Sequence, residues 1–344
     1  MSGGTRRPLG RKPARVAIVG AGPAGISAAR ELIKSGVAVT LFDKETASGG
    51  LKRYGYPSFR MPSSISEREA AQLAEQGVEF KGEAELGRTL QLADLERGYA
   101  AVLLATGAPV PSRLGIAGED LPGVYDAPRY LYGSRTERPL PAGPRVLVVG
   151  GGDTAVDAAT TALFLGADEA LILVRRGEEG LAAQPHEIKY ARDKGAAFRF
   201  WSVPTKIEPG ATADGAAVMA DGAAVMAAGT AGVPAGRTYG SLEVPGSLEV
   251  TIATTQLAGE PPVLAMTSQV STERFDTVIV AIGQSRHLTF LQSLGLEVAD
   301  DGTTNRPGVF VAGGTLYGSQ RLAKAIIDGR RAAQQIAGYL DGPA

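Results

Sequence analysis

The residues best placed to do chemistry in this chain are glycines. Two runs, Val16-Ala-Ile-Val-Gly20-Ala-Gly22-Pro-Ala-Gly25 and Val146-Leu-Val-Val-Gly150-Gly-Gly152-Asp-Thr-Ala155, have the spacing that lets backbone amides meet a dinucleotide pyrophosphate. In the first, Gly20 allows the tight turn, Gly22 lets the backbone approach the phosphates, and Gly25 lets helix and strand pack closely. Pro23 suits a first helical turn. Each run follows an apolar, β-branched segment and opens a helix-period segment, so the phosphates fall on a helix N-terminus. Two such sites in one chain point to electrons moving between two nucleotides.

The continuation of each fingerprint separates the two. The strand Val37 to Phe42 ends in Asp43, eighteen residues past Gly25, where a carboxylate meets ribose hydroxyls; that fits an unphosphorylated ribose, as in FAD or NAD. The strand Glu169 to Val174 ends in Arg175-Arg176, twenty residues past Ala155. Guanidinium forks there suit a ribose 2′-phosphate, hence NADPH.

Composition removes competing chemistries. The 344 residues contain no cysteine, so they supply no redox disulfide, no thiolate nucleophile and no cysteine-held iron–sulfur cluster. His186 and His287 are too few and too far apart for a metal site, and no Ser or Thr has a matching histidine, so no metal and no nucleophilic catalytic residue is expected. A net charge of -1 gives no broad basic surface for nucleic acid. Residues 1–13, with Arg6, Arg7, Arg11 and Lys12, lack the apolar core of a secretory signal and read as a disordered basic arm. No apolar run approaches the ~20 residues of a membrane-spanning helix, and the chain is expected to be cytoplasmic.

The elements needed to position these residues imply an α/β fold of two Rossmann-like three-layer dinucleotide-binding domains, the NADPH domain inserted into the FAD domain. Strand Ala101 to Ala105 ends in Thr106-Gly107, and the chain then leaves through Pro109, Pro111 and Gly115, with Leu121 to Tyr125 as a connector. The second unit has a helix Thr154 to Leu165, a helix-like stretch 184–194 and a strand Ala197 to Trp201. A tandem heptapeptide, Ala213 to Met219 and Ala220 to Met226, lies in a stretch read as hairpin and mobile loop, 207–262, with strand-like segments near 246–257. Strands return at Phe275 to Ala281 and Gly308 to Ala312, before a helix Arg321 to Leu340. The expected division is 14–112 and 271–344 for the FAD domain and 113–270 for the NADPH domain.

Several stretches then resemble the NADPH-dependent flavoproteins typified by the glutamate synthase small subunit, within the two-dinucleotide-domain flavoprotein group. They include Gly49-Gly50-Leu51-Lys52-Arg53-Tyr54-Gly55-Tyr56-Pro57 with Phe59-Arg60-Met61-Pro62, Gly118 to Val124, Gly151 to Ala158, Val174-Arg175-Arg176, Ala281 to Gln284 and Ala325 to Ala333. The resemblance covers Ala14 to Leu340. It implies that Gly20, Gly22, Pro23, Ala24, Gly25, Asp43 and Lys44 hold the adenosine half of FAD. Gly50, Leu51, Arg53 and Tyr54 would lie by the flavin, and Thr106 and Gly107 on its pyrophosphate side. Gly313, Gly314, Arg321 and Leu322 would complete that site. For NADPH, it implies Gly150, Gly152, Asp153, Thr154 and Ala155 at the pyrophosphate, Arg175 and Arg176 at the 2′-phosphate, and Gly283 and Gln284 near the nicotinamide.

The family usually has an aspartate where this chain has Gly314, and losing its hydrogen bond to the flavin ribityl chain is expected to weaken FAD by about 1 to 3 kcal/mol. Adrenodoxin reductase, a relative, lacks the acid there and still uses FAD. Arg321, at the start of the terminal helix, would favour an anionic reduced flavin. The implied function is hydride transfer from NADPH to FAD and onward to a partner protein or diffusible acceptor. The alternatives are a ferredoxin reductase of adrenodoxin-reductase type and a nucleotide-binding or redox-sensing subunit without turnover.

Overall fold

The computed structural model describes residues 14–108, 110–136, 139–210, 246–258, 263–286, 288–318 and 321–342. The basic arm, the tandem heptapeptide and His287 lie outside them. The chain divides into two compact units, one of Met1–Arg53, Pro62–Val110 and Gln284–Ala344, the other of Tyr54–Met61 and Pro111–Gly283.

The first unit begins with β1 (Arg15–Val19), α1 (Pro23–Lys34) and β2 (Ala38–Phe42). α2 (Ser63–Glu75), β3 (Glu79–Lys81) and β4 (Ala101–Leu104) follow. β1, β2 and β4 are apolar on both faces and almost wholly buried, the pattern of parallel strands covered from both sides. Pro23 opens α1, and Gly36, at φ +72°, turns the chain out of it.

The second unit runs β5 (Val124–Asp126), α3 (Ala127–Arg135), β6 (Arg145–Val149), α4 (Asp153–Phe164) and β7 (Glu169–Leu173). It continues through α5 (Pro185–Asp193), β8 (Ala197–Arg199), β9 (Ser202–Pro209), β10 (Leu248–Ala258), β11 (Val263–Phe275) and β12 (Thr277–Val280). Five strands form a parallel sheet in the order β5-β12-β6-β7-β8, and β9-β10-β11 form an antiparallel one. The stretch read as a connector therefore enters a strand and a helix, whose first turn Asp126 caps by accepting the Arg129 N–H at 2.8 Å.

The chain then returns to the first unit, where β13 (Val309–Val311) pairs with β4 and completes the parallel order β13-β4-β1-β2-β3. The closing helix α6 (Leu322–Asp341) lies against α1 so closely that a Cβ on Gly329 would fall 2.1 Å from the Ala24 carbonyl oxygen. The Ser27 hydroxyl donates to the Ile326 carbonyl across the same contact, at 2.9 Å.

Two boundaries differ from expectation. The second unit extends to Gly283 rather than 270, because β12 pairs in parallel with β6 and β5. Tyr54–Met61 also belongs to the second unit, where the side chains of Arg60 and Tyr54 are engaged.

Candidate functional site

In the first unit the three fingerprint glycines have three different surroundings. Gly20 has φ +107°, and a Cβ on it would meet the Ala105 carbonyl oxygen at 2.2 Å. A Cβ on Gly25 would meet the Gly20 carbonyl oxygen at 1.9 Å. At Gly22 it would find only the Gly50 Cα, 3.8 Å away. The outer glycines thus close the strand–turn–helix, and the middle one leaves its approach open, as a pyrophosphate requires. Gly22 caps α1 without a side-chain hydrogen bond, so the first-turn amides remain for an anion. Gly50 completes the cradle: at φ +52°, any Cβ there would strike the Gly22 Cα at 2.7 Å.

Asp43 is buried at the end of β2. Its Oδ2 accepts the Ala21 N–H at 2.6 Å and its Oδ1 the Glu45 N–H at 3.0 Å, which locks the fingerprint loop onto the strand end. Burial pushes its carboxyl above the ordinary range, and the Glu45 and Ala21 amides oppose that. Each oxygen keeps a second acceptor site for a ribose hydroxyl. Lys44 and Leu51 are exposed beside this loop, and Arg53 pairs with Glu67 at 3.4 Å. Ser48 and Ser66 bracket Gly49, both buried, with hydroxyls that have no hydrogen-bond partner among the described residues. Such orphans beside the glycine cradle fit a site built to receive a polar ligand.

Directly beside the Gly20 turn, at the end of β4, the fully buried Thr315 accepts the Gly107 N–H at 2.9 Å and lies 3.2 Å from the Thr106 hydroxyl. Position 314 is closed rather than merely empty, since a Cβ on Gly314 would fall 2.9 Å from the Ala108 nitrogen. Gly313 precedes it at φ +65°. Arg321 is exposed at the N-cap of α6, with Leu322 beginning the helix.

The second fingerprint repeats the logic. A Cβ on Gly150 would meet the Ala281 carbonyl oxygen at 2.3 Å, and one on Gly152 would meet nothing within 4 Å. Ala155, wholly buried, takes the place of the third glycine. Gly152 caps α4 with no side-chain bond, and Thr154 is exposed on the first turn. The Asp153 side chain is engaged within the loop, where its Oδ1 accepts the Gln184 N–H at 2.9 Å and secures the segment entering α5. Arg175 and Arg176 stand exposed beyond β7. Among the described residues neither guanidinium forms an ion pair, whereas Arg60, Arg145, Arg192 and Arg199 of the same unit all do. Gly283 closes this unit and Gln284 opens the next segment.

Arg60, and Asp157 within the stretch Gly151 to Ala158, carry no role that their sequence context reveals. Within the second unit the Arg60 guanidinium bonds both Asp157 on α4 and Glu187 on α5, and both carboxylates are buried. Burial pushes Asp157 up to about 6 against the pull of Arg60. The available signal was Asp157 itself, a carboxylate on a helix otherwise buried through Ala155, Val156, Ala158, Ala159 and Ala162.

Residues 14–330 match the model of the family described as pyridine nucleotide-disulphide oxidoreductase. The chain belongs to that family. It is 32% identical, over 95% of its own length and 69% of the relative's, to the protein named glutamate synthase [NADPH] small chain of Escherichia coli K12. It is likewise 32% identical over 95% of its length to the NADP(+)-dependent formate dehydrogenase subunit beta of Moorella thermoacetica, of which it spans 44%. Among solved structures, Mycobacterium tuberculosis FprA in complex with NADPH superposes with a TM-score of 0.73 at 20% identity, covering 96% of this chain and 85% of that one; this likeness concerns the fold. The chain is thus an oxidoreductase of the two-nucleotide α/β type, and family membership carries the cofactor pair FAD and NADPH. Despite the family's name, these 344 residues hold no cysteine for disulfide chemistry. Among the described residues, no helix is long and apolar enough to cross a membrane.

Proposed function

We propose that the chain is an NADPH-dependent flavoprotein reductase that moves hydride from NADPH to FAD and passes electrons to a partner protein or a diffusible acceptor. The first unit takes FAD and the second NADPH. The observation that carries this assignment is the contrast between two equivalent strand ends: a buried Asp43 that can accept ribose hydroxyls, and an exposed Arg175-Arg176 pair without acidic partners among the described residues.

When bound, the two coenzymes supply the hydride chemistry themselves. The protein's part is binding and orientation, with no side-chain acid, base or nucleophile. Gly22, Gly50 and the first turn of α1 hold one pyrophosphate, and Gly152 with the first turn of α4 holds the other. Thr315 fixes the Thr106-Gly107 turn. Arg53, Tyr54, Gly313, Gly314, Arg321 and Leu322 are assigned to the FAD site, and Gly283 and Gln284 to the nicotinamide end, on family resemblance. Two relatives are named as a small chain and a beta subunit, which supports reading this chain as an electron-input module.

The test is colour and turnover. The purified protein should be yellow and bleach anaerobically with NADPH. Arg175→Ala should lower kcat/KM for NADPH by at least tenfold and leave that for NADH nearly unchanged. A colourless protein that binds NADPH and reduces no added FAD refutes the reductase, and equal use of both nucleotides by the wild type refutes the arginine assignment.

A further inference from the structure

Trp201 has φ +54°, a left-handed conformation that only one other non-glycine residue among those described, Glu83, adopts. A bulky residue held there signals surroundings that over-determine it. In that conformation the Trp201 N–H donates to the Arg176 carbonyl at 3.1 Å, and the next residue, Ser202, donates to the Val174 carbonyl at 3.0 Å. The Trp201 carbonyl accepts the Thr255 N–H at 2.7 Å. Thr255 is buried, and its hydroxyl donates to the Arg175 carbonyl at 2.7 Å. It lies where the pairing of β10 with β11 shifts register between Ala253 and Thr255, an irregularity that re-aims side chains.

The two arginines thus carry exposed side chains on a backbone bonded at every carbonyl from Val174 to Arg176. Gly180 adds a constraint, because a Cβ there would come within 2.9 Å of the Arg176 Cβ and 3.2 Å of its Cδ. The Arg176 stem therefore rests in space that only glycine leaves open.

We propose that the Thr255 hydroxyl, the left-handed backbone at residue 201 and the space left by Gly180 set nucleotide selectivity, holding the Arg175-Arg176 turn so that both guanidiniums meet the 2′-phosphate of NADPH. The inference rests on the assignment of those arginines to NADPH. Binding a phosphate with two long side chains loses less rotamer and backbone freedom when the turn is already fixed, so the clasp favours the phosphorylated nucleotide and adds nothing for NADH.

The test is equilibrium binding of NADP+ and NAD+ to the purified full chain by calorimetry. Thr255→Val keeps the shape and removes the hydroxyl; it should weaken NADP+ about tenfold and change NAD+ less than twofold. Thr255→Ser should return NADP+ binding to within about threefold of wild type. Trp201→Gly accepts the left-handed conformation and keeps its backbone bonds, so its NADP+/NAD+ ratio should stay within about twofold of wild type. Gly180→Ala should lower the ratio too, and it keeps the clasp testable away from β10 where Thr255→Val does not fold. A Thr255→Val protein with the wild-type ratio, or with both nucleotides weakened alike, overturns the clasp, as does an unchanged ratio in Gly180→Ala. The arginine assignment has its own control: if Arg175→Ala/Arg176→Ala keeps the wild-type ratio, that reading falls and the clasp with it, whereas loss of the ratio there beside its retention in Thr255→Val defeats the clasp alone.

Discussion

Replacing Arg60 with Met should destabilise the second unit by an amount that depends strongly on pH. Arg60 bonds the buried carboxylates of Asp157 and Glu187, and it also lies over the Tyr56 ring at 5.5 Å. Met keeps most of the apolar stem, so the change isolates the charge. Asp157 sits at about 6, above its ordinary 3.8, because burial outweighs Arg60. For a carboxyl raised in the folded state, the stability linked to its proton is present below the unfolded value and is lost as pH rises through about 6. Without Arg60 the carboxylate can escape its burial by taking a proton. The cost of that escape, relative to wild type, is bounded by about 1.4 kcal/mol for each pH unit above the wild-type value. Through Asp157 the variant therefore loses up to about 3 kcal/mol at pH 8 and less than about 0.5 kcal/mol at pH 6. The assay is urea unfolding at both pH values, in the wild-type and Asp157→Asn backgrounds. A penalty equal at pH 6 and pH 8, or a pH-dependent penalty as large in the Asp157→Asn background as in the wild type, would refute this account.

Three further outcomes follow from the glycines. Gly22→Ala should leave the stability of the flavin-free protein within about 0.5 kcal/mol, since only Gly50 is near, yet sharply reduce flavin occupancy after purification, measured by absorbance. Gly20→Ala, with a left-handed φ and the Ala105 carbonyl in the way, should cost about 3 kcal/mol or more of folding stability by urea titration; a near-neutral result would contradict the loop geometry. Gly314→Asp, which restores the acid common in the family, should cost about 1 to 3 kcal/mol and give no gain in flavin retention, because Ala108 occupies the space; tighter flavin binding would show that the loop yields.

The sequence made the strands and glycine turns legible because their constraints are local. Val16–Val19 and Val146–Val149 are apolar without alternation, and Gly20, Gly25 and Gly150 are glycine for close contacts that the fingerprint spacing already encodes. The strand ends at Asp43 and after Leu173 were readable for the same reason. Long-range features were not readable. That Asp153 serves Gln184, that Thr255 holds Arg175 and that Trp201 is left-handed depend on residues 31, 80 and 25 positions apart in sequence, brought together only by the fold. β11 was missed because its apolar residues do not alternate with polar ones, and Val263, Met266 and Val270 lie exposed on this edge strand rather than on a buried face. The closed space at position 314 is set by the neighbouring turn at Ala108, which no property of Gly314 itself reports.

The membership of Tyr54–Met61 in the second unit bears on any attempt to exchange coenzyme preference by domain grafting. The polypeptide passes from one unit to the other four times, after Arg53, Met61, Val110 and Gly283. A transplant of Pro111–Gly283 alone would abandon Arg60 in the host and import the buried Asp157 and Glu187 without the guanidinium that bonds both. A working chimera must carry the short upstream segment as a second cassette.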